Sequence, residues 1–325
     1  MKKILGMGNA LLDILVTLPG DSVLTELGLA KGSMQLVDLA FSERVLKTVE
    51  NLDFSLVSGG SASNTIHGLA KLGVETAFIG KVSEDEFGDI FRKDMLNSGI
   101  RPLLFKDEPQ TGRAIALISP DSERTFATYL GSAVKLSPDE LTPELFEGYD
   151  HFHVEGYLVQ DHDLIEKSLV LAKEAGLTTS LDLASFNVVV ENLGFLQSIV
   201  ERYVDIVFAN EEEARSFTGV NNAAESARNI AEMCSVAVVK TGPKGSIVAS
   251  GRELLNIPPV EAKRVDTTGA GDLYASGFLY GFANGLSLEK SAKAGTILAA
   301  CIIEKIGAKI PDECWPEMIS KIRTI

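Results

Sequence analysis

Short apolar runs recur along this chain with helix-length amphipathic segments between them, and that alternation most limits what the chain can become. The runs are KKILGMGNA, FSLVSG, TAFIGKV, HFHVEG, TTSLDL, DIVFAN and VAVVKTG. Helical patterns lie at Asn64 to Leu72, Phe87 to Ser98, Asp163 to Ala175 and Ala223 to Met233, and again near the C-terminal end at Ser287 to Glu304 and Pro311 to Ile322. A strand that is apolar on both faces needs cover on both. The pattern therefore predicts an α/β fold whose mainly parallel sheet carries helices on either side. Ligands of such sheets gather at the carboxyl ends of the strands.

Two regions break the rhythm. LLDILVTL with SMQLVDLA, and TGRAIALIS with RTFATYL, read as alternating strands joined by polar turns such as PDSE at Pro120 to Glu123, without intervening helices. They predict a small antiparallel sheet standing over the main domain as a lid. The expected division is a large domain of 1–12, 46–104 and 132–325, and a lid of 13–45 and 105–131. No internal repeat or low-complexity linker separates independent units. A length of 325 residues, with 45% hydrophobic and 23% charged residues, suits one large globular unit with a small appendage.

A net charge of −15 repels phosphate backbones and anionic lipid at long range, which excludes nucleic acid and membrane surfaces as expected partners. It does not exclude a small polyphosphate, because backbone N–H groups and a metal ion need no net positive charge. Cys234, Cys301 and Cys314 show no paired spacing, and the apolar start of the chain is broken by glycines, Asn9 and Asp13. The expectation is a cytoplasmic protein with reduced thiols, a small-molecule ligand and a monomeric or homodimeric state.

DTTGAGD, Asp266 to Asp272, runs directly into the helical pattern Leu273 to Asn284. Gly269, Ala270 and Gly271 permit close backbone approach at a helix N-terminus, where free N–H groups and the helix dipole favour an anion. Asp272 beside that anion hole is positioned to take a proton from an attacking hydroxyl. In GGSASN, the pair Gly59 and Gly60 precedes a helix with Asn64 one turn inside, a donor and acceptor for hydroxyls. Asp13 follows the first strand and offers a carboxylate to the same kind of group. Asn210 and Glu213 of NEEEA share one face of a helix start and can hold magnesium through water. KTGPKGS repeats the small-residue theme at Thr241, Gly242 and Gly245. No G-x-x-x-x-G-K-[ST] occurs, and the G-x-G pairs at Gly6 and Gly269 lack the third glycine, which disfavours P-loop and Rossmann sites. His151 and His153 alternate on a strand without a third ligand of suitable spacing.

GGSASN, NEEE, KTGPKG and DTTGAGD, in this order, resemble the ribokinase-like (PfkB) carbohydrate and nucleoside kinases, from the first strand to GAKIP. The resemblance implies a three-layer α/β/α domain with a small β-rich lid, and transfer of the ATP γ-phosphoryl group to an alcohol with magnesium. It makes Asp272 the base and Gly269 to Gly271 the anion hole, with Arg124 of the lid closing over the phosphate. Asp13, Gly59, Gly60 and Asn64 would grip the substrate. Asn210, Thr241, Gly242, Gly245, Thr268, Ala299 and Ile303 would line the ATP site. It also leaves room for a monovalent cation, potassium, at Asp266 and Thr268. The opening G-N-x-L-L-D is similar to the adenosine kinase branch, with Asn9 near the base and Tyr157 stacking on it. Adenosine is the expected acceptor, and fructose, ribose or 2-keto-3-deoxygluconate the alternative.

Overall fold

The computed structural model describes residues 2–121 and 123–325; Met1 and Ser122, the latter inside the expected PDSE turn, lie outside them. The chain opens with β1 (Lys3–Met7) and β2 (Leu11–Thr17), then α1 (Ser22–Leu27), β3 (Met34–Leu36), α2 (Leu39–Val49), β4 (Phe54–Gly59), α3 (Ser61–Lys71) and β5 (Glu75–Val82). It continues through α4 (Glu86–Asn97), β6 (Ile100–Lys106), β7 (Gly112–Ile118), β8 (Arg124–Tyr129), β9 (His151–Glu155), α5 (His162–Glu174), β10 (Thr178–Asp182), α6 (Phe186–Glu191) and α7 (Leu193–Tyr203). The remainder is β11 (Ile206–Asn210), α8 (Glu211–Thr218), α9 (Ala223–Ala231), β12 (Val236–Lys240), β13 (Ser246–Ser250), β14 (Glu253–Ile257), α10 (Ala270–Ala283), α11 (Leu288–Ile302) and α12 (Trp315–Arg323).

The described residues form a nine-stranded sheet in the order β14-β13-β12-β11-β10-β9-β1-β5-β6. It is parallel from β12 to β6 and ends in antiparallel β13 and β14. The side-chain period of two sorts each strand onto two cores. Leu5, Val207, Ala209, Ala237 and Val239 pack with α5, α7, α8 and α9 on one face, while Ile4, Ile206, Phe208, Val236 and Val238 pack with α3, α4 and α10 on the other. This is the expected three-layer α/β/α arrangement.

Helix α10 is apolar nearly all round, as a helix enclosed by other elements must be. It packs on α11 so closely that a Cβ on Gly277 would stand 2.5 Å from the carbonyl oxygen of Ala294. Full burial of Phe278 and Leu279 contributes about 1.5–3 kcal/mol each, which anchors the helix whose first turn forms the site.

The second sheet has five strands in the order β3-β8-β7-β2-β4. It corrects the sequence reading in three ways. The sheet is mixed, with β2 antiparallel to β4 but parallel to β7, and β8 antiparallel to β7 but parallel to β3. FSLVSG is edge strand β4 of this sheet, not a strand of the large domain; Phe54 and Ser55 at its start are exposed and only its end is buried. Helices α1 and α2 do interrupt the strands, and Leu24, Leu27, Val45 and Val49 cover one face through Ile14, Val16, Ile115, Leu117 and Ala127. The period of two turns Asp13, Leu15 and Arg124 to the opposite face, over the large domain. Among the described residues no helix is long and apolar enough to cross a membrane.

Candidate active site

The loop before α10 is fixed at both ends. Asp266 accepts from the Thr268 backbone N–H (3.0 Å) and hydroxyl (2.8 Å) through Oδ1, and from the Gly307 N–H (2.8 Å) through Oδ2. The Ile303 carbonyl, at the end of α11, accepts from Val265 and Asp266 N–H. Gly269 caps α10 with φ 74°, and a Cβ there would stand 2.8 Å from Ala308 Cα, so only glycine fits. Having no side chain, this cap gives the first-turn amides no acceptor. Ala270 N–H reaches Thr267 O at 3.2 Å, while those of Gly269, Gly271 and Asp272 have no acceptor among the described residues. The free amides of this turn are therefore those flanking Ala270, not that of Ala270 itself.

Asp272 stands in that first turn, and its carboxylate accepts from Ser61 Oγ (2.8 Å) and Asn64 Nδ2 (3.0 Å) of α3. Burial of the carboxyl raises it to about 6, against the pull of these two donors and Lys240, with Asp182 adding repulsion. Neutral donors orient the group without cancelling its basicity. That is the condition for a general base near neutral pH.

A second cluster forms where β1 and β4 end and β2 begins. Gly60 turns the chain into α3 with φ 95°, and a Cβ there would lie 2.2 Å from Asn9 O. Asp13 comes from the middle of β2, not from a turn, and a Cβ on Gly59 would lie 2.2 Å from its carboxyl. Burial raises Asp13 to about 7, with Lys309 opposing and Asp272 reinforcing the shift. Asn9 Nδ2 donates to Glu155 Oε1 at 2.9 Å. The amide oxygens of Asn9 and Asn64 are buried and unpartnered, acceptors available to hydroxyl groups. A cavity of about 560 Å³ runs from Asn9 past Tyr157, Leu158, Ala133 and Val134 to His162. The Tyr157 hydroxyl donates weakly to Ala184 O at 3.4 Å.

On the other side of Asp272, Asn210 and Glu213 close a capping box: Asn210 Oδ1 accepts from Glu212 and Glu213 N–H, and Glu213 accepts from the Asn210 N–H at 2.7 Å. Glu213 is raised to about 7 by burial and Asp182. Among the described residues no group of three or more His, Cys, Asp or Glu side chains is placed to hold a metal ion directly. Asp182 repels both Glu213 and Asp272, and the Lys240 ammonium bonded to it already answers that charge; magnesium would therefore be held through water and phosphate, with Asn210 and Glu213 as the oxygen donors nearest to hand. Thr241 and Gly245 close a tight loop, Thr241 N–H to Gly245 O at 2.8 Å, between β12 and β13. Ala299 is half-buried on α11, and the Ile303 carbonyl is committed to the loop rather than open to a ligand.

Arg124 lies at the loop, but on its other end from Asp272. Nη2 stands 2.8 Å from Asp266 Oδ2, and Nη1 donates to Thr268 Oγ1 at 3.3 Å. In this conformation its guanidinium is engaged at the Asp266 end of the loop.

Glu155, Asp182 and Lys240 were not singled out in the sequence. Glu155 joins Asn9 to the Ala62 N–H at the start of α3 (2.9 Å) and is raised to about 7 by burial. Lys240 Nζ donates to Asp182 Oδ2 at 2.8 Å and would lie 3.0 Å from a Cβ on Gly271. Burial opposes its charge, but Asp182, Glu213 and Asp272 outweigh it and raise the ammonium group. The signal was present: each is a lone charged residue at the carboxyl end of a buried parallel strand. His151 and His153 share the Ser180 hydroxyl at 2.8 Å, and burial lowers them to about 3 and 4, so both are neutral core residues.

Residues 32–314 match the model of the pfkB family of carbohydrate kinases. The fold superposes on a probable sugar kinase from Rhizobium etli CFN 42 with a TM-score of 0.89 and 32% identity, covering 100% of this chain and 99% of the other. It superposes on the adenosine kinase of Sinorhizobium meliloti with a TM-score of 0.87 and 32% identity, covering 99% of each. Adenosine kinase of Saccharomyces cerevisiae is 28% identical over 94% of this chain and 96% of its own length. With a carboxylate poised beside free helix-terminal amides and relatives of this kind, the chain belongs to the pfkB family, on its adenosine kinase-like branch, and is a phosphotransferase acting on a sugar or nucleoside alcohol.

Proposed function

We propose that the chain transfers the γ-phosphoryl group of ATP to the hydroxymethyl group of a nucleoside, with adenosine as the best fit. The observation that carries this reading is the setting of Asp272, raised to about 6 and held by Ser61 and Asn64 beside the unpartnered amides of Gly269 and Gly271. Asp272 takes the hydroxymethyl proton as the oxygen attacks the γ-phosphorus, whose bond to the β,γ-bridging oxygen breaks to release ADP. Those amides then stabilise the charge on the transferring group. Asp13 and the Asn64 amide oxygen grip the ribose hydroxyls, and Lys240 stands behind Gly271 as a fixed positive charge. Asn210 and Glu213, with Thr241, Gly242, Gly245 and Thr268, form the ATP side. Magnesium, when bound there through water, neutralises phosphate charge, with Asn210 and Glu213 orienting its shell.

The cavity leading from Asn9 along Tyr157, Leu158 and Val134 supports a nucleoside over a free sugar, because a planar base profits from apolar and aromatic cover that a sugar does not need. Equal identity to the sugar kinase from Rhizobium etli supports the second reading, phosphorylation of fructose, ribose or 2-keto-3-deoxygluconate. Initial rates with ATP and magnesium across adenosine, inosine, cytidine and these three sugars separate the two. Adenosine turnover at least about 100-fold above any sugar in kcat/KM is expected; efficient turnover of a sugar with none of adenosine overturns the nucleoside assignment.

A further inference from the structure

The likeness of DTTGAGD to cation-dependent relatives implied a monovalent cation at Asp266 and Thr268, and the surroundings of that carboxylate do not fit one. An ionised carboxylate offers about four acceptor positions. Asp266 fills three of them with Thr268 N–H, Thr268 Oγ and Gly307 N–H, and the Arg124 guanidinium stands against the carboxylate beside them. Both side chains of the ion pair are buried, 6% exposed for Arg124 and 7% for Asp266. The Nη2 contact at 2.8 Å is a charge contact rather than an aligned hydrogen bond, since Nη2 has no aligned acceptor. Its partner sees it as a positive charge more than as a directed donor. A second monovalent cation at this carboxylate would have to displace the guanidinium or sit against it, and like charges in a buried site repel strongly.

We infer that the Arg124 guanidinium takes the place of the monovalent cation at Asp266, so that phosphoryl transfer by this chain needs no potassium. The group that fixes the loop is then covalently part of lid strand β8, 144 residues from Thr268 in the chain. Burial lowers the pKa of Arg124, opposed by Asp266 and Asp13, yet a guanidinium keeps its charge in a protein. The cation is permanently present whenever the lid strand is in place. Arg124 is thereby a positioning residue for the anion-hole loop, and its effect on the phosphate runs through Asp266 and Thr268.

The test compares wild type with Arg124→Met in potassium, sodium and choline chloride at equal ionic strength. Initial rates are read with the best acceptor from the substrate panel, together with the Tm of the ligand-free protein. The inference rests on the kinase activity but not on the nucleoside reading, and the thermal arm needs no acceptor, so failure of either is distinguishable. Wild-type rates are expected to agree within about twofold across the three salts, and its Tm to show no potassium-specific rise, because an ion that does not bind cannot stabilise. Arg124→Met is expected to lose rate by about 10-fold or more and to gain a potassium-specific rise in Tm as the exposed carboxylate takes an ion. Saturable activation of wild type by potassium of about fivefold or more overturns the inference, as does Arg124→Met with an unchanged rate. If Arg124→Met does not fold, the wild-type salt comparison decides.

Discussion

The two ends of the 266–272 loop carry the same residue type in opposite settings. Asp272 is held from the large domain by the neutral donors Ser61 and Asn64, and stays basic. Asp266 is held from the lid by a guanidinium and by backbone amides, and is committed to structure. Neutral hydrogen bonds lower the proton affinity of Asp272 by less than burial raises it, whereas a buried cation fixes a carboxylate's position and favours its charged form. A loop with one end free to exchange a proton and the other pinned can do chemistry without moving. Such a loop does not pay for transfer with reorganisation.

Exchanging the free end breaks the comparison most severely. Asp272→Asn keeps the shape and removes the base, and kcat is expected to fall by about 10³-fold or more, measured by initial rates on folded protein. The same variant tests the electrostatics through stability. Because folding raises the Asp272 pKa from 3.8 to about 6, its contribution is fully present below the unfolded value and is lost as pH rises through about 6. At pH 8 the ionised group is a net liability, so Asp272→Asn should melt no lower than wild type there. A gain of about 1 kcal/mol or less is expected after allowance for solvent at this partly open site.

Asp266→Asn attacks the pinned end and should show the reverse balance. Leaving the Arg124 guanidinium buried without its partner is expected to cost about 3–5 kcal/mol and lower Tm by about 6 °C or more. The rate should fall by about 100-fold or less, since the base itself remains.

Lys240→Met sharpens the comparison instead. Lys240 holds the Asp272 pKa down, so its loss should move the acid limb of kcat/KM above about pH 6 and lower the plateau by about 10-fold. The smallest effect is expected for Ser61→Ala, which removes one neutral donor that lowers Asp272 and should shift the same limb upward by about one pH unit or less. A plateau within about threefold of wild type accompanies it.

The large sheet was legible in the sequence because its strands are apolar on both faces and its helices carry a matching 3.6 period. Alternate residues of VAVVK divide cleanly between two cores. The small sheet was legible only in part: its strands β2, β3, β7 and β8 were expected, but not its mixed order or its fifth strand, because those pairings are long-range. FSLVSG looks like a buried strand in isolation, and only its pairing with β2 places it at the lid edge. DTTGAGD and GGSASN were legible as a site because small residues before a helix have few other uses. The ion pairs Lys240 with Asp182 and Arg124 with Asp266 were not. Each joins lone charges separated by long stretches of chain, and nothing local announces the partner. Asn210 and Glu213 were expected together from their spacing, which is local, and they do meet, in a capping box.

The most direct test of this division of labour is the pH dependence of kcat/KM for the wild-type enzyme with its best acceptor. Activity should rise with pH across about 6 to 7, where burial places Asp272 together with Asp13 and Glu213, and level off above it. A profile that stays flat down to about pH 4, the range of an ordinary exposed aspartate, would contradict the assignment of Asp272 as the base.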